Sequence, residues 1–368
     1  MSYQYLSGVM LVACLLLFSI HLTDAQTDDM PYHTWEVYLQ RDITPDGTDI
    51  LQFVDVLTGT STVARVNGER YTPVGTSVIF YDPASQRVRQ ALTDGDVRDH
   101  PFIQLTAGAQ RVDWIVSTDQ RRVAWTLTYR TDTSIRTVTE VAATNGADRR
   151  RVLENGPRTD GVRALPVAFA VDNSALIMDA HPDLIGDFAP YPQYASLFRL
   201  DLATREIDLL PNENRACFCG AGVRAGQLLR LALTSDLSGF DVRVRSLESD
   251  RSSLIDALRL PDYTQAGDVL IAPDGTQAVY ALSQLAGFGA DAPRVNTVLV
   301  LVDLVTMRQT QLTQPVPRYV HPVRWTEDNT AVIYTSPQDS GTWKVFTADG
   351  RVMRVATASF IGTLRDTS

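Results

Sequence analysis

Beyond about residue 30 the chain shows no sustained 3.6-residue apolar period. Its apolar positions fall in short runs, alternating or continuous, rich in β-branched and aromatic residues and closed by turn dipeptides. Such a pattern predicts strand almost throughout. One unit recurs: a short strand, a tight polar turn, a second apolar strand, a variable loop, then a hairpin of the form apolar-Asp-x-x-Thr leading into an Arg-rich strand. The clearest copy runs Val269-Leu270-Ile271-Ala272-Pro273-Asp274-Gly275, Ala278-Val279-Tyr280-Ala281-Leu282, Val298 to Asp303 and Gln309 to Thr313. Weaker copies begin at Val112-Asp113-Trp114, Val167-Ala168-Phe169 and Val323-Arg324-Trp325.

The first turns of these units fall near Asn67, Asp119, Asp172, Arg224, Asp274 and Asp328. That spacing of about 50 residues suits four strands per repeat. The expected fold is therefore all-β: a single β-propeller of six to seven four-stranded blades over residues 35–365. A leftover hairpin, Asp49 to Val66, reads as the outer half of a further unit whose inner edge would come from Phe360 to Leu364. Strands from both termini would then close a seventh blade, which hides edges that otherwise pair with other chains.

The strand, the Pro273-Asp274-Gly275 turn and the apolar strand after it resemble the TolB-type, WD40-like propeller repeat. The resemblance implies a propeller without the globular N-terminal domain that precedes it in TolB. Prolyl-peptidase-like hydrolases also carry propellers of this type, but the residues here do not suffice for their α/β catalytic body.

The apolar stretch from Gly8 to Leu22 is short for a membrane span and predicts a signal peptide over residues 1–25, with Thr23-Asp24-Ala25 at the cleavage site and 26–34 as a linker. Leu11-Val12-Ala13-Cys14 offers an alternative, a lipoprotein signal ending before Cys14, and an uncleaved anchor is a third. All three place the folded body outside the cytoplasm: secreted, periplasmic or at the cell surface.

Hydrophobic residues at 44% against 21% charged supply enough apolar surface for a packed body. A net charge of -10 argues against nucleic acid as a partner, since such binders concentrate positive charge. Lys344 is the only lysine, so the basic residues are arginines, whose planar forks suit paired contacts with carboxylates.

Four histidines lie beyond the predicted signal: His33, His100, His181 and His321, the last three each preceding proline. The register puts His100 and His321 in connections that feed inner strands, near one mouth of the channel. They read either as a ligand or metal site with Asp96 and Asp99, or as x-Pro steps that hold a strand start extended. No metal-ligand spacing is present, so neither metal nor cofactor is expected. Asp94 to Asp99 lacks the mid-loop glycine and distal glutamate of a calcium loop and reads as an inter-blade turn. Cys217-Phe218-Cys219 reads as a short-range disulfide, as buried thiols or as a redox pair, the structural readings first. Gly220 to Gly226 has the wrong spacing for a dinucleotide loop and reads as a turn. No nucleophile elbow occurs, whereas paired carboxylates from different blades would leave no local signature.

Loops joining second to third strands share a face with the inter-blade connections, and binding usually occurs on such faces. Two are long: His181 to Ser196, with Phe188, Tyr191 and Tyr194, and Gln284 to Asn296, with Phe288. Tyr129 and Arg130 would project from the equivalent loop of another blade. Together with His100 and His321 these form the expected ligand-binding set; the competing reading has the aromatics packing down as local cores. The expected function is non-catalytic: an extracytoplasmic, monomeric binding or scaffold propeller for a protein, peptide or cell-envelope glycan, with no membrane contact beyond a lipid anchor or uncleaved signal. The alternative is a carbohydrate-active hydrolase or lyase with acidic residues at the channel.

Overall fold

The structure, a computed structural model, describes residues 33–42, 44, 47–183, 189–211, 213, 218–249, 251–287, 294–336 and 339–365. The expected signal peptide, Cys14, Cys217, Phe188 and Phe288 lie outside them. The described residues form seven antiparallel four-stranded sheets and no α-helix. Six blades follow one another along the chain, at residues 69–99, 109–158, 162–209, 221–255, 263–311 and 321–356. Inner strands of neighbouring blades lie against one another at most of the junctions and so surround the axis.

The seventh blade takes its inner strand, Ser359–Arg365, from one end of the described chain and its other three, Thr34–Gln40, Asp49–Asp55 and Ser61–Val66, from the other. Leu364 stands opposite Trp35 in that pairing. The closure expected from the terminal hairpin is thus present.

A single four-stranded sheet cannot bury both of its faces, so each blade relies on its neighbours. Val279, Leu299, Trp325 and Val332 form one shared core between the fifth and sixth blades, and Leu51, Phe53, Val78 and Phe80 another between the seventh and first. Covered on both sides, the middle strands read as unbroken apolar runs: every residue from Ala278 to Leu282 is buried.

The recurring aspartate has a local cause. Asp172, Asp274 and Asp328 each accept, through Oδ1, the backbone N–H two residues on. The residue between, Asn173, Gly275 or Asn329, takes a positive φ of 57°, 71° or 56°, which Asn and Gly tolerate. These backbone bonds lower the carboxyls of Asp172 and Asp274, and Asp328 is lowered to about 2 chiefly by the Thr326 hydroxyl it also accepts, together with the Thr330 N–H.

Three expectations need correction. The first blade makes its inner turn at Gly75, not near Asn67, which lies in the crossing from the seventh blade; this turn uses glycine at φ 55° without the aspartate signature. The Asp94 turn lies inside the first blade, joining Arg87–Leu92 to Val97–Asp99, rather than between blades. Gly220 to Gly226 contains the inner strand Ala221–Arg224, and its glycines serve close approach: a Cβ on Gly222 would lie 2.3 Å from the carbonyl oxygen of Val269 in the next blade. Gly222→Ala is accordingly expected to cost about 1–3 kcal/mol through overpacking between two inner strands. Urea unfolding measures this, and a loss below 0.5 kcal/mol, on the order of a surface substitution, would refute it.

Candidate functional site at the loop-rich mouth

The inner strand of the fourth blade is only four residues long, Ala221–Arg224. Beyond its end, Cys219 exchanges backbone hydrogen bonds with Tyr194, N to O at 3.1 and 3.4 Å. The long connection of the third blade is thereby drawn inward as an extra edge over the channel mouth. Cys219 is disulfide-bonded, in keeping with a structural role; its partner lies outside the described residues.

Buried polar groups hold this connection. Arg230, 1% exposed, donates to the carbonyls of Cys219, Tyr194 and Ala195, and its Nε lies 3.4 Å from Oε2 of buried Glu213. Glu213 in turn accepts the Leu197 N–H. Buried Asp179 accepts the N–H groups of Ala195 and Ser196 at 3.0 and 2.8 Å, and its other oxygen lies 2.9 Å from Nδ1 of His181. Asp183 begins the connection between two guanidiniums, Arg130 from the second blade and Arg163 from the third. Gln193 donates to the carbonyl of Ala266 in the fifth blade.

Tyr191 anchors the far end. It is 1% exposed, its hydroxyl lies 2.5 Å from Ser283 Oγ, and its Cβ would be 2.4 Å from a Cβ on Gly267. Burial pushes the phenols of Tyr191 and Tyr194 up to about 12, so both remain neutral. Around them, Asp268 Oδ2 meets His321 Nδ1 at 2.5 Å, and the ring of Tyr191 packs edge-on against both His321 and Tyr319.

The expected binding residues therefore divide. Tyr194, half-buried, and His321 sit at the mouth. Arg130 is exposed but engaged with Asp183, and Tyr129 is half-buried, with Thr106 on its hydroxyl at 2.6 Å and Arg136 over its ring. Tyr191 belongs to the core: it fastens the loop and does not form part of its exposed face. His100 is buried too, in the connection from first to second blade, where Nδ1 accepts the Ile103 N–H at 3.0 Å and burial pulls its pKa down to about 4. The structure does not join His100 to His321, and Asp99 is taken up by Arg87. Among the described residues no three His, Cys, Asp or Glu side chains are grouped so as to hold a metal ion.

Sequence reasoning missed Asp268, Asp179, Arg230 and Glu213. Three carried a signal: Arg230 interrupts Leu228-Leu229-Arg230-Leu231, Asp179 follows Ile177-Met178, and Gly267-Asp268 breaks the apolar strand Tyr263–Ile271 at a bulge where Asp268 takes a φ of 52°. A charge inside an otherwise apolar strand has to be partnered, and here the partners are loop backbone and histidine.

The seven blades, the aspartate turns and the closure from both ends define a seven-bladed β-propeller. Among solved structures, an oligogalacturonate lyase in complex with manganese is similar at a TM-score of 0.53 and 13% identity, covering 89% of this chain and 86% of that one. The oligogalacturonate lyase of Vibrio parahaemolyticus gives 0.51 and 12%, over 84% and 85%. TolB from Acinetobacter baumannii gives 0.46 and 13%, over 91% and 83%. At such identities the likeness shows the fold alone. No protein-family model matches the sequence, and no curated protein does.

Proposed function

We propose that the protein is an extracytoplasmic binding propeller that docks a protein, peptide or cell-envelope glycan on its loop-rich face. The observation that carries this reading is the fastened connection over the mouth: Arg230, Asp179 and Tyr191 immobilise it, so the surface around Tyr194 and His321 is ordered before any ligand arrives. Preorganisation of this kind lowers the entropic cost of association. The same face exposes Phe218 at 40% and Leu237 at 64%, apolar side chains of the sort that anchor interfaces. The disulfide on Cys219 suits an oxidising compartment and supports the localisation.

The test is capture and chemical cross-linking of the mature protein in envelope extract, alongside a glycan array, comparing the natural chain with Leu237→Glu and Phe218→Ala. A specific ligand is expected whose retention falls about tenfold or more with either substitution, the loss of one anchoring contact. Equal retention by both variants would remove the loop face from the interaction.

A second reading rests on the His321–Asp268 pair. Its carboxylate orients the imidazole, and no described residue engages Nε2, so that nitrogen is available for proton transfer. Under this reading the protein is a carbohydrate-active enzyme, and oligogalacturonate is the first substrate to offer. Turnover that disappears in His321→Gln would replace the binding reading.

A further inference from the structure

At the opposite end of the channel a cavity of about 420 Å³ opens on the propeller axis. Its walls are inner-strand ends and first turns of the second, fourth, fifth, sixth and seventh blades. Three arginines, Arg224, Arg324 and Arg365, line it against two carboxylates, Glu327 and Asp119. Three guanidiniums against two carboxylates leave one positive charge in excess, and neither carboxylate pairs with Arg224. Asp119 is occupied by the Ser117 hydroxyl at 2.6 Å, the Arg121 N–H and the Asn173 amide at 2.8 Å. One oxygen of Glu327, Oε1, serves two guanidiniums at once, at 3.4 Å from Arg324 and 3.7 Å from Arg365. Arg224 is half-buried and has no ion pair or side-chain hydrogen bond with any described residue.

We propose that this axial cavity is a binding site for a small oxyanion carrying two or more charges, a polycarboxylate or a phosphate, gripped by Arg224 together with Arg324 and Arg365. A half-buried cation is ordinarily paired, because partial loss of hydration has to be offset by a counter-charge. Here the charge that bears on Arg224 is another arginine, Arg324. Guanidinium forks match carboxylate and phosphate oxygens two at a time. The cavity is of the size that small-molecule sites occupy. The remainder of the chain sharpens the contrast: in a protein of net charge -10, a positively lined axial cleft concentrates the field on the axis and selects anions there. This inference does not rest on the docking face at the other mouth.

Isothermal titration of the mature protein with citrate and, separately, with inorganic phosphate at low ionic strength tests it. Saturable one-to-one binding is expected with at least one of them: citrate alone identifies a carboxylate ligand, phosphate alone a phosphate ligand. Arg224→Gln is expected to weaken that binding by about tenfold or more, the loss of a charged hydrogen-bonded contact. It should also leave the unliganded melting temperature equal or higher, since it removes a cation that repels its neighbour. Glu327→Gln, which removes the competing carboxylate, should bind at least as tightly as the natural chain. Leu237→Glu should leave anion binding unchanged, which separates this site from the docking face. Absence of saturable binding to either anion, unchanged affinity in Arg224→Gln, a lowered melting temperature in that unliganded variant, or weaker binding in Glu327→Gln would each overturn the proposal.

Discussion

Arg230→Ala is expected to lower stability by about 3–5 kcal/mol, the cost of removing one partner from a buried ion pair. Arg230 stands on Gln227–Leu233, the second strand of the fourth blade, with apolar neighbours on either side, and almost none of it reaches solvent. Its guanidinium spans three carbonyls on two segments and touches Glu213, so alanine would leave those carbonyls and a buried carboxylate without the cation. The effect is not confined to stability. Tyr194 and Cys219 are held edge to edge by the same guanidinium, and their amide protons should exchange faster in the variant. Equilibrium urea unfolding and hydrogen exchange at those two amides read both consequences. Glu213→Gln in the Arg230→Ala background should recover part of the loss, because the orphaned charge disappears, and the two substitutions should be non-additive. A cost below about 1 kcal/mol, the range of an exposed ion pair, would mean that the arginine does not fasten the loop.

That arginine also marks where sequence reasoning stopped. The blades were legible because their determinants are local. A strand buried on both faces has to be apolar throughout, as Ala278 to Leu282 is, and a turn with positive φ has to offer Asn, Gly or a tolerant residue after its aspartate. Repetition then multiplies a degenerate signal. The closure was legible for the same reason, since the hairpin Asp49 to Val66 lacked an inner partner and Ser359–Arg365 lacked an outer one. The mouth was not, because its contacts join residues far apart in the chain: Tyr191 to Ser283, Asp268 to His321, Arg230 to Tyr194. No spacing rule foresees that a loop from the third blade crosses to the fifth. Aromatics in a long loop signal either an exposed platform or an inserted anchor, and composition does not separate the two. Tyr191 proved to be the anchor, while Tyr194, three residues on, is only partly buried, packed against Ile177, Leu197, Ala221 and Leu228. The axial arginines were hidden in another way, each reading as an ordinary strand-end or turn residue until three blades brought them to one cavity.

Acidification from pH 7 to pH 4.5 is expected to remove most of about 3 kcal/mol of stability at a single side chain, His100. The ring is buried, its Nδ1 accepts the Ile103 N–H at 3.0 Å, and Phe102 packs edge-on against it at 4.5 Å. An acceptor nitrogen cannot carry a proton, and the apolar surroundings oppose the charge, so burial holds its pKa at about 4 in place of 6.5. The sign follows from proton uptake. The unfolded chain protonates this histidine near pH 6.5 and the folded protein only near 4, so in that window the unfolded state binds more protons and stability falls as pH falls. The contribution is complete above the unfolded value and is lost by the folded one, a gap of about 2.5 units worth roughly 3 kcal/mol. Turn carboxylates with depressed pKa, Asp55 and Asp328 at about 2 among them, lose their contribution only below their ordinary value of 3.8, outside this range. His100→Asn separates the two effects, because its side-chain oxygen can accept the Ile103 amide without titrating. Urea midpoints measured from pH 8 to pH 4.5 should fall more steeply toward the acid end for the natural chain than for the variant. Parallel curves would show that His100 takes up its proton as readily in the folded protein as in the unfolded chain, and that the loop from first to second blade is fastened by something else.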